Sequence, residues 1–238
     1  MHAANKYNRI TATAQPADRY LLTLLAIYVV TWIALAIAPV YRHDWMLENV
    51  LTLIAVPLTI YTYPTLRFSR RTYTMLWLFM MLHAVGAHYT YALVPYDDWM
   101  QTLTGHRLND LLGWQRNHFD RLVHFLYGFL LFPVFWELFA PHIYCKPGSR
   151  GTQALRYLLV ITFIVSHAGI YEVVEWGAAA FFGGDLGVAY LGTQGDEWDA
   201  QKDMGLAMCG TLIIAALMAL TGNPARQPAK VDEPGASG

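Results

Sequence analysis

Apolar residues in this chain are grouped into six long stretches that short polar segments separate. A helix needs roughly 20 predominantly apolar residues to cross the hydrocarbon core of a bilayer. The stretches reach or approach this length, so the pattern predicts an all-α fold, a polytopic transmembrane helix bundle with six spans. The predicted spans are Tyr20–Val40, Met46–Tyr63, Thr72–Val94, Leu122–Ala140, Leu155–Phe182 and Met204–Thr221.

Composition agrees with a membrane protein. Hydrophobic residues make up 55% of the 238 residues and charged residues only 14%, whereas soluble domains carry roughly a quarter charged residues. The net charge of -1 gives no reason to expect a nucleic-acid partner. Two cysteines, Cys145 and Cys209, cannot form a disulfide framework and are expected to be unpaired. The sequence has no glycine-rich phosphate loop and no nicotinamide or flavin fingerprint.

The distribution of basic residues predicts the orientation. Eleven of the 16 lysines and arginines fall in the N-terminal segment, the second and fourth turns and the C-terminal tail. Because basic residues concentrate on the cytoplasmic side, both termini are predicted to be cytoplasmic. The predicted organisation is a cytoplasmic segment at 1–19, a six-helix transmembrane domain at 20–221 and a disordered cytoplasmic tail at 222–238. Eleven of the 17 acids then lie in or beside the outer loops.

Ionisable residues inside the predicted spans are functional candidates, because a charge within a bilayer is unfavourable unless it is partnered. With the predicted orientation, all but one lie in the outer half or near the middle of the membrane. The exception, Glu137, is near the inner interface and is interpreted as a surface carboxylate. The residues are His83, His88, His124, Glu137, His167, Glu172 and Glu175.

Spacing brings several polar residues onto shared helix faces. Asp120 and His124 are four residues apart, and Glu172 and Glu175 are three apart, so the members of each pair lie on one face. We expect the third to sixth spans to surround one polar pocket that opens to the outer face, with the first and second spans packed more peripherally. A single histidine such as His83 can instead be an interhelical hydrogen-bonding residue.

The sequence "YLGTQGDEWDAQKDM", which starts at Tyr190, places four acids directly before the last span. We expect Gly192–Gly195 to form a turn that returns the chain to the bundle, because glycine tolerates a positive φ. Asp199 and Asp203, one helical turn apart, would then face the Asp120–His124 pair. Asp196 would close the site from above, and Glu197 would point into solvent.

Four segments resemble the YjdF-like bacterial inner-membrane proteins, a family without an assigned biochemical function. They are "HAVGAHYTYALVPYDDW", "NHFDRLVHFLYGFLLFP", "HAGIYEVVEW" and "LGTQGDEWDAQKDM". A looser resemblance extends to VanZ-like membrane proteins, which share a D-x-x-x-H helix start, an E-x-x-E or E-x-x-Q helix and a loop with spaced aspartates. The resemblance implies an inner-membrane location and supports the polar site, but neither family supplies a reaction.

An enzyme that acts at the outer leaflet is the first functional hypothesis. Carboxylates and imidazoles together suit general acid–base catalysis or a bound divalent metal ion. The substrate would be a lipid or another envelope molecule. The candidate catalytic residues are Asp120, His124, Glu172, Glu175 and Asp199, and the candidate metal ligands are His88, Asp120, His124, Glu172, Glu175, Asp196 and Asp199.

Two alternatives remain open at this point. The protein could be a structural or regulatory membrane protein in which the polar cluster only holds helices together. It could also be a proton-coupled transporter, because intramembrane Glu and His residues can relay protons. Against a transporter, the polar residues stop near the middle of the membrane, apart from Glu137 on the inner side.

Overall fold

The structure is a computed structural model that describes residues 18–143 and 149–221. These residues form nine α-helices and one 3-10 turn, with no strand among them. The predicted all-α membrane fold is therefore confirmed. The helices are α1 (Arg19–Leu35), α2 (Arg42–Leu66), α3 (Arg70–Tyr89), α4 (Tyr96–Thr104), α5 (Leu108–Leu112), α6 (Phe119–Phe139), α7 (Arg150–Phe182), α8 (Gly184–Leu191) and α9 (Asp199–Leu220), and the 3-10 turn is Ala140–His142.

Three regions with sequence predictions lie outside the described residues. They are the N-terminal segment before residue 18, the turn with Cys145 at residues 144–148, and the tail from residue 222. The cytoplasmic location of both ends and the disorder of the tail stay predictions. Cys209 is a free thiol, as expected.

Four of the described helices are long and apolar enough to cross a membrane. They are α2, α6 with its 3-10 extension, α7 and α9. The apolar helix α1 has only 17 residues, and the 20-residue helix α3 is not among the four. The predicted count of six spans is therefore not confirmed by length and composition.

Six helices, α1, α2, α3, α6, α7 and α9, have 17 or more residues, and hydrogen bonds and ion pairs show that they alternate in direction. Arg70 at the start of α3 bonds Asp18 at the start of α1, and His88 near the end of α3 bonds the Leu35 carbonyl at the end of α1. Glu137 near the end of α6 bonds Ser69 beside the start of α3. The bundle therefore has two ends. We call the one where α6 and α9 begin the site end and the other the far end.

Helix α6 is at the centre, in contact with α3, α7 and α9. Its closest neighbour is α9, because glycines on both helices let the backbones approach. A Cβ atom at Gly128 would overlap the Ala207 carbonyl oxygen, and one at Gly210 would overlap the Phe125 carbonyl oxygen. Small residues commonly allow such close packing between membrane helices. Towards the far end from this contact, a buried apolar core is formed by Phe132, Trp136, Val160, Ile164 and Ile214.

Glu137 is not the simple surface carboxylate that the sequence suggested. Its carboxylate accepts hydrogen bonds from the Ser69 backbone N–H at 2.7 Å, the Ser69 hydroxyl at 2.7 Å and the Thr72 hydroxyl at 2.8 Å. Ser69 is the N-cap of α3. The negative charge at a helix N-terminus is stabilised by the helix dipole and by these donors. Glu137 thus joins the end of α6 to the start of α3.

Candidate functional site

A layer of ion pairs closes the site end of the bundle. It consists of Arg116, Arg121, Asp196, Asp199 and Lys202, which we call the ion-pair layer. Arg116 donates to both oxygens of Asp199, at 2.6 and 3.4 Å, and Arg121 donates to Asp199 at 3.1 Å and to Asp196 at 2.5 Å. Lys202 donates to Asp196 at 2.6 Å. The layer fixes the chain before α6 to the first turn of α9.

The glycine turn before α9 positions this layer. Gly192 and Gly195 have φ values of 58° and 85°, as expected for a turn that glycine favours. The Gln194 side chain accepts from the Asn117 backbone N–H at 2.9 Å and donates to the Asn117 carbonyl at 3.0 Å. Arg116 also donates to the Thr193 carbonyl at 3.1 Å. The turn is therefore attached by its backbone as well as by charge.

A lowered pKa agrees with an ionised Asp196 in the layer. The hydrogen bond from Lys202, followed by the one from the Trp198 backbone N–H, lowers the pKa of the Asp196 carboxyl. Burial and the neighbouring Arg121 and Arg116 lower the pKa of His118, which precedes α6. Glu197 is exposed, as the sequence suggested.

One helical turn deeper lies a second group of acids that we call the acid–histidine centre: Asp120, His124, Glu172 and Asp203. The His124 Nε2 atom is 3.6 Å from Asp120 Oδ1 and also 3.6 Å from Glu172 Oε1. One candidate ligand atom from each of Asp120, His124 and Asp203 lies within 4.8 Å of the other two. Three helices, α6, α7 and α9, contribute to this centre.

Hydrogen bonds do not explain the acid–histidine centre. A separation of 3.6 Å is too long for a hydrogen bond. Glu172 Oε1 and Asp203 Oδ1 are buried and have no hydrogen-bond partner among the described residues. Asp203 is only 2% exposed, and no described lysine or arginine forms an ion pair with Asp120, Glu172 or Asp203.

Helix α2 contributes two further acids that the sequence analysis missed. Asp44 is 1% exposed and Glu48 is 3% exposed. Both oxygens of Asp44 and one of Glu48 lack hydrogen-bond partners among the described residues. Asp44, Glu48 and Thr52 recur every fourth residue, which places them on one face of α2. This polar stripe is the signal that could have identified them. Helix α2 packs mainly on α3 and α8, as expected of a peripheral span, but its polar face is directed into the bundle.

Tyrosine side chains lie between α2, α6 and α7. The Tyr91 hydroxyl bonds His83, which in turn bonds the Glu48 carbonyl of α2, and the Tyr171 ring of α7 is centred 6.0 Å from the His124 ring. Tyr171, Glu172 and Glu175 are half-buried, whereas the neighbouring Val173, Val174 and Trp176 are exposed. Glu175 therefore faces the interior of the bundle. The buried polar region extends from Asp203 on α9 to Asp44 on α2.

Other predicted site residues have partners of their own. His88 bonds the Leu35 carbonyl at 2.7 Å and belongs to no described group of three or more ligand-type residues within 4.8 Å. His83 joins α3 to the Glu48 carbonyl and to the Tyr91 hydroxyl, at 3.2 and 2.5 Å, which is the interhelical role considered for it. His167 bonds the Tyr127 hydroxyl at 2.7 Å.

The predicted ligands divide between the two layers. Asp196 and Asp199 use their oxygens in ion pairs with arginine and lysine, so their roles as metal ligands, and that of Asp199 in catalysis, stay predictions. Asp120, His124 and Glu172 lie together, joined by Asp203. Each ionised carboxylate taken out of water without a partner costs several kcal/mol. The acid–histidine centre can therefore hold a cation or share protons between its carboxyl groups.

Comparison with known proteins finds one family and one similar curated protein. The model of a family described as "Predicted membrane protein (DUF2238)" matches residues 20–223. The Escherichia coli (strain K12) protein called "Inner membrane protein YjdF" is 32% identical over 201 residues, which cover 83% of this chain and 86% of that protein. No solved structure matches the chain.

Proposed function

This chain belongs to the DUF2238 family of predicted membrane proteins, as its YjdF-like segments indicated, and we propose that it is a divalent-cation-dependent enzyme of the bacterial inner membrane. In this proposal all six long helices span the bilayer. Their alternating direction supports it, because each helix begins at the end of the bundle where the preceding long helix stops. Helix α3 packs on both α1 and α6, so these helices belong to one bundle. Six alternating spans place the start of α1 and the end of α9 on the same side.

The proposed orientation has the site end facing the periplasm. Arg67, Arg70, Arg71, Arg150 and Arg156 lie beside or at the far-end termini of α2, α3 and α7. At the site end, three of the basic residues are engaged in the ion-pair layer. This asymmetry supports a cytoplasmic far end. A reporter that is active only in the periplasm, fused after Gly222, should give no signal, and a strong signal would reverse the orientation.

One observation carries the proposed chemistry: ligand atoms of Asp120, His124 and Asp203 lie within 4.8 Å of one another, and His124 Nε2 is 3.6 Å from Asp120 Oδ1. Two ligands that are each 2.0–2.2 Å from a tetrahedral ion are about 3.4 Å apart. The separation between His124 and Asp120 is thus too long for a hydrogen bond but suits neighbouring ligands around an ion. Carboxylate and imidazole ligands together fit Zn²⁺ or Mn²⁺. Asp120, His124 and Asp203 form the proposed ligand set.

Such an ion would activate a water molecule for attack on a substrate. Glu172, whose Oε1 atom is buried and unpartnered beside the ligand set, would accept the proton from that water. Glu175, with the Tyr171 hydroxyl, would hold a proton for the leaving group. The substrate would be a lipid or another envelope molecule, since the site lies near the membrane boundary at the periplasmic end.

A proton-coupled carrier is the second candidate, and one observation favours it. The buried acids continue past the acid–histidine centre to Glu48 and Asp44 on α2, where no metal ligand group forms among the described residues. Buried acids without cationic partners are typical of proton relays in transporters. The route would still need a continuation to the far end, where Glu137 is occupied by three hydrogen bonds.

Metal analysis of the purified full-length protein tests the proposal. Wild-type protein supplied with Zn²⁺ or Mn²⁺ should retain a stoichiometric amount of one of them after extensive dialysis. Asp203→Asn and His124→Gln should lose it, because each removes one ligand. Glu197→Gln, an isosteric change at an exposed acid of the same loop, should retain it. Equal metal retention by all four proteins, or none by the wild type, contradicts the proposal.

A further inference from the structure

A cavity lies beside the α6–α9 pair, on the side away from the acid–histidine centre. Its volume is about 840 Å³, and it is bounded by α4, α5, the segment before α6, and α6 and α9 themselves. That volume falls within the roughly 300–1,000 Å³ typical of small-molecule sites. On α6 it is lined by Arg121, Leu122 and Phe125. These residues lie on a different helix face from Asp120 and His124, so this cavity is distinct from the acid–histidine centre.

The short helices that cover the cavity expose apolar side chains. Leu103 on α4 is 80% exposed and Leu111 on α5 is 64% exposed. Neither helix is long enough to cross a bilayer, since α4 has nine residues and α5 has five. Exposed apolar groups on short helices beside transmembrane segments indicate contact with the membrane surface. Trp114, which lines the cavity, also suits the interface. The cavity therefore lies at the boundary between lipid tails and headgroups.

The lining of the cavity is polarised. Among the described lining residues the charged ones are both cationic, Arg121 and Lys202, and none is an acid. His118 adds a polar group beside them, while the remaining lining residues are apolar, aromatic or glycine. The Arg121 Nε–H group is buried and has no acceptor among the described residues. The cavity thus presents hydrogen-bond donors at one end and apolar surface elsewhere.

Charge in the adjacent ion-pair layer does not balance. The layer contains three cations, Arg116, Arg121 and Lys202, and only the two carboxylates of Asp196 and Asp199. Lys202 is 49% exposed. Lys202 therefore presents a half-exposed positive charge at the edge of an apolar cavity, and arginine is well suited to bind phosphate oxygens.

From these observations we infer that the cavity binds an anionic phospholipid. Its phosphate accepts hydrogen bonds from Arg121 Nε–H and from Lys202, and its acyl chain lies against Leu122, Phe125 and Cys209. The site is separate from the reaction site of the proposed function. Arg121 connects the two, because the same side chain also bonds Asp199 directly above Asp203. A bound lipid would hold the ion-pair layer in place.

Two variants separate the apolar and charged parts of the site. Gly205 lines the cavity, and a Cβ atom there meets nothing within 4 Å. Gly205→Leu therefore extends a side chain into the cavity from an open position, and it favours the helix because glycine is a poor helix former. Gly151→Leu at the far end is the matched control, since its nearest neighbour would be the Ser149 hydroxyl at 4.0 Å. Lys202→Gln removes charge and leaves the cavity open.

The experiment uses purified full-length protein in detergent, incubated with equal amounts of phosphatidylglycerol and phosphatidylcholine of identical acyl chains. Native mass spectrometry counts the retained lipids. Wild type and Gly151→Leu should prefer the anionic lipid by roughly fivefold, the effect expected from one lysine near anionic lipid. Lys202→Gln should lose that preference, and Gly205→Leu should retain little of either lipid.

Equal retention of the two lipids by the wild type would overturn the inference. So would unchanged retention in Gly205→Leu, because the lipid would then be bound elsewhere. Metal content of the same preparations keeps this result apart from the proposed function. Gly205→Leu should keep its metal, whereas Asp203→Asn should lose its metal and still prefer the anionic lipid.

Discussion

Two layers of carboxylates lie one helical turn apart at the site end of the bundle, and they are partnered in opposite ways. Asp199 in the ion-pair layer bonds two guanidinium groups, at 2.6 and 3.1 Å. Asp203, four residues later on α9, has a buried oxygen with no hydrogen-bond partner in the part of the chain that the structure describes. Both side chains are buried, so exposure does not distinguish them. The difference lies in their neighbours. Arg116 and Arg121 pair with Asp199, whereas Asp203 lies beside Asp120 and His124.

This difference distinguishes an acid that stabilises the fold, Asp199, from an acid that is available for chemistry, Asp203, within the same first two turns of α9. A buried acid with arginine partners is already neutralised, and its oxygens are occupied. A buried acid beside a histidine and other acids, without a cation, keeps its oxygens available for a ligand or a proton. The same comparison holds between Glu137 at the far end, which has three donors, and Asp44 at the site end, which has none.

The comparison is tested most strongly by neutralising one acid from each layer. Asp199→Asn should lower the free energy of unfolding by about 3 kcal/mol, because it removes the more buried of the two carboxylates that pair with Arg116 and Arg121. Asp203→Asn should leave the stability of the metal-free protein unchanged or raise it, because it removes a buried charge from among other acids. Thermal or denaturant unfolding in detergent, with metal removed by chelation, measures both.

A complementation assay adds the functional half of the same test. Asp203→Asn should abolish activity in a protein that is folded and inserted, whereas any loss of activity in Asp199→Asn should follow its loss of stability. If both substitutions destabilise the protein equally, the two layers form one structural network and the distinction between them is wrong.

A second test compares Glu137, which has hydrogen-bond donors, with Asp44, which has none among the described residues. Glu137→Gln should lower the free energy of unfolding by about 1 kcal/mol, because hydrogen bonds from Ser69 and Thr72 to a charged acceptor weaken when the acceptor becomes neutral. Asp44→Asn should be neutral or stabilising in the metal-free protein, because Asp44 accepts no hydrogen bond in the described structure. Unfolding midpoints of the two variants, measured together, decide the sign. A larger loss in Asp44→Asn would mean that Asp44 is partnered.

Periodicity and spacing anticipated much of the site. Asp120 and His124 share a face of α6 because they are four residues apart, and alternating spans bring Glu172 of α7 to the same end. The early start of α9 at Asp199 places Asp199 and Asp203 on successive turns of one helix. Helical geometry and the direction of each span are local properties, so the sequence was sufficient to predict them.

Which arginine pairs with which acid could not be predicted in the same way. Arg116 and Asp199 are 83 residues apart in the chain, and either arginine could have faced any acid of the outer loops. The role of Glu137 depends on the Ser69 N-cap of α3, again far away in sequence. The α2 acids are different, because their four-residue spacing from Asp44 to Thr52 was present in the sequence and was overlooked.

A third test concerns the exposed edge of the ion-pair layer. Lys202→Gln should have only a small effect at neutral pH, because an exposed ion pair contributes little. Since Lys202 lowers the pKa of Asp196, its stabilising effect is present above the unfolded pKa of about 3.9 and is lost as the pH falls through the lower folded pKa. Unfolding midpoints of wild type and variant should therefore differ slightly at pH 7 and converge in strong acid. A difference that grows on acidification would contradict the assignment.

The smallest effect is expected at Glu197, which lies between the paired Asp196 and Asp199 in the sequence but is exposed. Exposed substitutions away from caps and ion pairs usually change the free energy of unfolding by less than about 0.5 kcal/mol. Glu197→Gln should therefore match the wild type in unfolding midpoint, metal retention and complementation. Because it removes the same charge as Asp203→Asn from the same loop and helix start, it controls for net charge. If Glu197→Gln impaired metal retention as Asp203→Asn does, the acids would act through their summed charge, and the position of each carboxylate in the two layers would not matter.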